Sequence, residues 1–420
     1  MTTFSNELTS QGTPRLIAPD VARGLALLGI SAANATTAWF TNTEMDQAAM
    51  LGGISAAHPA LDKVVAMLAA LFVHNRGLPM FSTLLGVGVG FIALSLWRRG
   101  YPLAAARGRL IRRYLFLALF GAIHMVFLFY GDIMLFYGFA GVLLACMLGW
   151  KDSTLLKVAY WLLGAVCTVG LLLAAAMAFL FTDPAVAEGI AQSMNPSASM
   201  EGMPGAEMTN TYPGLVLFQA FMLLFTLFSL PFIGLAYMPL MMIGFVWARQ
   251  GRMANVAQYR KSFQTWAAIG IAVMILVGLP WGLSAIGVLP TRLEPVFAIM
   301  NFSVGILTGP AILAIFVLLL DAVPHPAPLW LRVPAALGKR SMSGYLFQSV
   351  VYLILVSPFA LNVGHNTGAA VQLGIAFTIW AASLALAWAL EMANKPGPFE
   401  WLHRRLSYPT SSSPQPLPRA

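Results

Sequence analysis

The chain alternates long apolar runs with short polar breaks, and the runs are of membrane length. A helix needs about 20 mainly apolar residues to cross the hydrocarbon core. Runs of this kind occupy 21–40, 78–97, 114–130, 133–150, 155–181, 263–283, 295–320, 344–361 and 369–390. The stretch 213–248 is apolar but too long for one upright span. Pro231 within it predicts a break into an interfacial or tilted piece followed by a further span. Residues 62–75 predict a short helix at the outer surface. Backbone groups in lipid must be satisfied internally, and continuous apolar runs do not suit barrel strands. The pattern therefore predicts an all-α, polytopic transmembrane helix bundle of about ten spans. Residues 1–20 form an N-terminal tail, 21–391 the membrane domain with 183–212 as its long outer loop, and 392–420 a C-terminal tail.

Composition agrees. Of 420 residues, 59% are hydrophobic and 9% charged, against roughly 25% charged in soluble domains. The net charge of +9 would suggest a nucleic-acid partner in a soluble protein. Here no basic stretch is interleaved with exposed aromatics, so no nucleic acid is expected and the cations read as topology signals. With the N-terminus inside and ten alternating spans, 21 of the 24 Lys and Arg residues fall on the inner side, leaving Lys63, Arg76 and Arg292 outside. Both termini are then cytoplasmic. Residues 1–19 lack an apolar signal core, so the first span reads as an uncleaved anchor. Cys146 and Cys167 lie in apolar runs, and His58, His325, His365 and His403 are scattered, so neither a disulfide framework nor a metal site is expected.

The candidate chemistry lies in the few polar groups at depth, which are costly in lipid and are functional hypotheses by default. The stretch 107–150 is the centre of these. Arg107, Arg109, Arg112 and Arg113 precede an apolar run that contains His124, a Gly131-Asp132 corner follows, and a second run returns. The arginines suit phosphate, from anionic lipid or from a donor. Asn34 lies eleven residues after Arg23, and His124 eleven after Arg113. At 1.5 Å per residue both sit ~16 Å from those markers, so they could share one mid-membrane pocket. The plainer alternative is that each hydrogen-bonds a neighbouring helix. Asp132 is placed near the outer surface, as a site residue or as the N-cap of the next helix. His74 and Arg76 stand at the outer entrance to the second span; Tyr137, Tyr345 and Gln348 enter the membrane from later elements. Asp20 and Arg23 are spaced to pair on one helix face. The glycines of TLLGVGVGF suit close helix packing, not a phosphate cradle.

Several motifs recur in a familiar order: DVARGLALLGISAAN at 20–34, MFSTLLGVGVGF at 80–91, HMVFLFYGDIMLFY at 124–137, GKRSMSGYLFQS at 338–349 and GPFEWLHRRLSY at 397–408. Together they resemble the YeiB family, domain of unknown function 418, over nearly the whole chain. That resemblance implies a bacterial cytoplasmic (inner) membrane location. Arg23-Gly24 followed by Asn34 is also distantly similar to membrane acyltransferases of the heparan-glucosaminide acetyltransferase type. Such a resemblance implies an Asn and a nearby His serving acetyl transfer from acetyl-CoA to a sugar amine. Asn34 matches the first; residues 41–50 hold no His, and the next candidates are His58 and His74.

Two functions follow as expectations. The first is acyl transfer from a cytosolic donor such as acyl-CoA, a co-substrate and not a tightly bound cofactor, to an amine or hydroxyl of a small molecule or glycan. His124 or His74 would be the base, Asn34 would orient the carbonyl, and Asp132, Tyr137, Arg76, Tyr345 and Gln348 would contact substrate. The second is a small-molecule transporter or channel lined by the same polar groups. Membrane lipids are expected partners, and assembly as a homo-oligomer is compatible with either.

Overall fold

The computed structural model describes residues 16–40, 47–183, 186, 206–324 and 326–408. The tail before residue 16, most of the 183–212 loop, His325 and the end of the C-terminal tail lie outside the described residues. Within them every regular element is a helix. They are α1 (Ile17–Asn34), α2 (Pro59–Phe72), α3 (Gly77–Arg98), α4 (Leu103–Phe127), α5 (Met134–Cys146), α6 (Asp152–Leu180) and α7 (Tyr212–Arg249). There follow α8 (Val256–Val273), α9 (Leu279–Ala285), α10 (Glu294–Val304), α11 (Thr308–Leu320), α12 (Leu329–Lys339), α13 (Ser341–Val356), α14 (Ala369–Met392) and α15 (Pro398–Ser407). Seven segments are long and apolar enough to cross a membrane, and Met134–Gly149 and Ser341–Val356 are shorter apolar helices. The protein is thus a polytopic all-α membrane bundle.

The core forms where small residues let backbones approach. A Cβ at Gly86 of α3 would collide with the carbonyl of Met241 in α7, and one at Gly244 with that of Thr83. This is the packing available inside lipid, where apolar burial alone does not draw helices together. The α7 half from Met238 to Ala248 is accordingly buried without interruption. Much of its other half is exposed, with Phe228 75% and Phe232 66% exposed, while Phe218 and Gln219 are buried. Contrary to the sequence expectation, Pro231 does not break this element; Pro231 and Pro239 both lie inside one continuous helix. A break at an apolar surface would strand several backbone groups in lipid, whereas a proline within the helix removes one hydrogen bond and leaves one carbonyl without its donor.

The bundle has two ends. At one, Arg23 pairs with Asp20 (3.4 Å), Lys339 and Arg340 pair with Glu391 (2.6 Å each), and Arg249 with Asp152. The other carries the α2–α3 corner, where Asn75 (φ 58°) turns the chain. Its amide donates to the carbonyls of Asn301 (2.7 Å) and Phe302 (3.2 Å). Arg76 beside it is buried and donates to the carbonyls of Leu71, Asn75 and Ala70. The corner is held by its backbone acceptors.

Candidate functional site

The site begins with how closely α4 and α5 approach. A Cβ at Gly121 would strike the backbone of Leu135, and one at Gly138 the backbone of Ala118. One turn beyond Gly121 is His124. Past it α4 ends, with the amides of Leu128 and Phe129 both turned onto the His124 carbonyl (2.8 and 3.0 Å). The chain passes the Gly131-Asp132 corner and re-enters as α5. Asp132 caps that start: its Oδ1 accepts from the Leu135 amide at 2.7 Å. Its Oδ2 is left to face His124 Nδ1, at 2.7 Å, with both side chains buried. The separation is that of a close ion-pair contact, though the two atoms do not align as a hydrogen bond. His124 Nε2 has no hydrogen-bond partner among the described residues. A carboxylate on one imidazole nitrogen, with the other free, is the arrangement of an oriented general base.

Tyr345 enters from α13. Its ring lies 5.0 Å from that of His124, and its hydroxyl is at the Asp132–Ile133 corner. What places Tyr345 is the start of α13, one turn earlier. Glu400 of α15 accepts from the amides of Met342 (2.8 Å) and Ser343 (3.0 Å) and from the Ser343 hydroxyl (2.5 Å), capping α13 from another helix.

Two openings approach this group from opposite ends of the bundle. A cavity of about 480 Å³ opens at the arginine-rich end. Apolar side chains such as Leu27, Phe81, Leu85 and Leu117 line its middle; Tyr137, Ile133 and Tyr345 line it next to the His–Asp pair. Asp20, Arg23, Arg113, Lys339, Glu400 and Arg404 lie around its mouth. At the far end a pocket of about 100 Å³ is lined by Trp39, Phe129, Tyr130, Gln219, Asn362 and His365 among others, with no Asp, Glu, Lys or Arg in its wall among the described residues. Phe129 belongs to both sides. It stacks on Trp39 (4.6 Å between centroids) and meets His124 edge-on at 6.5 Å. The His–Asp pair therefore stands between the openings, with Tyr345 on one side and Phe129 on the other.

The structure joins His124, Asp132 and Tyr345, with Tyr137 nearby in the cavity wall. It does not join Asn34 to them. α1 packs on α12, α3, α14 and α11, while α4 packs on α5, α7, α15 and α3. Asn34 is half-buried at the end of α1, and no hydrogen bond links it to His124. His74 sits elsewhere, with Nε2 3.1 Å from the Thr36 hydroxyl and its ring edge-on to Trp281. Gln348 donates to Ser383 on α14 (3.1 Å), an interhelical bond outside the cavity wall. Of the four arginines in α4, only Arg113 lines the cavity. Arg109 lies over Tyr101 at 4.5 Å, Arg112 donates to the Leu406 carbonyl (3.1 Å), and Arg107 points to neither opening.

Sequence reasoning passed over α15. Glu400, His403 and Arg404 all line the cavity. His403 is buried, and its Nε2–H donates to the Arg113 carbonyl at 2.8 Å. Burial first, and then Arg113, hold its pKa down to about 4. The available signal was the motif GPFEWLHRR itself, a strongly amphipathic segment in what read as a tail.

Comparison with known proteins agrees with the resemblance read from the sequence. Residues 247–410 match the family described as "Protein of unknown function (DUF418)". An "Uncharacterized protein YxaH" of Bacillus subtilis (strain 168) is 23% identical over 408 residues, covering 93% of each chain. Neither description names an activity.

Proposed function

For a membrane protein whose C-terminal portion matches the DUF418 family, we propose membrane-embedded acyl transfer centred on His124. The observation that supports this reading is the buried His124–Asp132 pair, with Nε2 free, between two openings at opposite ends of the bundle. The arginine-rich end faces the cytoplasm of a bacterial cell and admits the acyl donor; the far pocket admits a hydroxyl or amine acceptor. His124 Nε2 takes the proton from the acceptor as its oxygen or nitrogen bonds to the donor carbonyl carbon. The bond from that carbon to the donor's leaving group breaks, and the imidazolium returns the proton to the leaving group. Asp132 orients the ring and stabilises the imidazolium. The Tyr345 hydroxyl is the donor available to the developing oxyanion.

The test is acyl transfer by purified protein in nanodiscs from radiolabelled acyl-CoA to a panel of neutral acceptors. Turnover that is lost in both His124→Ala and His124→Gln supports the base; full turnover in His124→Gln removes it. The two-ended arrangement also favours a second reading, transport past Phe129. Substrate flux in proteoliposomes without covalent transfer would establish that reading in place of the first.

A further inference from the structure

The mouth of the 480 Å³ cavity is not a uniform ring of charge. Most of its charged groups are already engaged. Arg23 Nη1 faces Asp20, and its Nη2 donates to the Leu84 carbonyl at 3.0 Å. Lys339 is paired with Glu391 (2.6 Å). Glu400 is occupied by the start of α13. Two cations remain without an ion pair among the described residues, Arg113 on α4, whose side chain also bonds the Tyr114 hydroxyl, and Arg404 on α15. They are brought to one side of the mouth by the intervening residue, since His403, next to Arg404, is bonded to the Arg113 carbonyl. Below them the wall turns apolar, through Leu117, Leu85 and Phe81, down to Tyr345.

We propose that this cavity binds a single-chain amphiphile with a phosphate head, the phosphate between Arg113 and Arg404 and the chain directed toward Tyr345. Two guanidinium groups on separate helices match the several oxygens of a phosphate, to which arginine bonds in pairs. The cavity volume lies within the roughly 300–1,000 Å³ of small-molecule sites. It takes a chain, while anything larger attached to the phosphate stays outside the mouth. The proposal names the donor class for the acyl-transfer reading and rests on that reading only for the reaction, not for the binding. It also makes α15 a wall of the binding site.

The experiment is equilibrium binding to full-length protein in nanodiscs of neutral lipid. The probes are 1-palmitoyl lysophosphatidate, palmitoyl-CoA, palmitate, monopalmitoylglycerol and inorganic phosphate. The two phosphate-bearing chains should bind about tenfold or more tightly than palmitate or the glycerol ester, and inorganic phosphate alone should not compete at millimolar concentration. A difference between lysophosphatidate and palmitoyl-CoA tells a lipid source from a nucleotide-borne one. Arg113→Gln and Arg404→Gln should each weaken the phosphate-bearing chains about tenfold and reduce their salt dependence, leaving monopalmitoylglycerol unchanged. Arg113→Gln keeps the backbone carbonyl that His403 uses, so α15 stays docked, which an unchanged melting temperature would verify. Equal binding of palmitate and lysophosphatidate, or unchanged binding in the double variant, overturns the proposal. Repeating the measurement in His124→Gln separates the two readings: binding should persist there while turnover is lost.

Discussion

Asp132 serves two partners with its two oxygens, and a substitution can divide them. Asp132→Asn keeps an acceptor for the Leu135 amide, so α5 retains its cap, but it removes the carboxylate that faces His124. Acyl-transfer rate should fall by about 10²–10⁴-fold with little change in melting temperature, whereas Asp132→Ala should lose both rate and stability. Equal melting losses in the two would make Asp132 a cap alone. At this scale the sequence was informative about cost: a histidine inside an apolar run and a carboxylate at the turn were conspicuous, and they do meet. It was not informative about direction. Counting from Arg23 and Arg113 placed Asn34 and His124 at one depth, but depth along a helix says nothing of which way a side chain faces. With α3 a neighbour of both α1 and α4, equal height did not become contact.

The α4–α5 pair and α15 are where elements set the site. Because Gly121 lies against the Leu135 backbone, Gly121→Ala must push the helices apart beside His124. It should cost about 1–3 kcal/mol, seen as a lower melting temperature in detergent, and reduce turnover as well. Docking of α15 should depend on pH through His403. Its pKa falls from 6.5 free to about 4 when docked, so the docked state prefers the neutral ring. That contribution is complete above pH 6.5 and is lost as pH falls toward about 4. Among the groups around it, Arg113 opposes a further positive charge and Glu400 is held by α13. Hydrogen exchange in 398–408, corrected for intrinsic rate, should therefore rise between pH 6.5 and 4 in the native protein. In His403→Gln it should be flat over the same range. Period and length made the helices legible in the sequence, but α15 was not. It is short and its polar residues resembled a solvated tail, because its partners lie on α13 and, 290 residues earlier, on α4.

At the scale of the whole molecule, the distribution of cations predicts which end meets which solution. Arg98, Arg99 and the α4 arginines, Arg249, Lys339, Arg340, Arg404 and Arg405 all belong to the end at which the 480 Å³ cavity opens. Among the described residues, the far pocket has no charged residue in its wall. Cationic segments beside short loops are retained in the cytoplasm during insertion, so the cavity should open inward and the far pocket outward. The roles assigned to the two openings depend on this. Single cysteines can test it in a background where Cys146 and Cys167 are replaced by Ser. Ala254 is exposed in the α7–α8 turn at the arginine-rich end, and Val288 is 67% exposed in the turn after α9. In right-side-out vesicles a membrane-impermeant maleimide should label Val288→Cys directly and Ala254→Cys only after permeabilisation. The reverse pattern would place the arginine-lined mouth outside the cell. A donor made in the cytoplasm could not then reach Arg113 and Arg404 from solution, and the acyl-transfer direction proposed for His124 would have to be inverted.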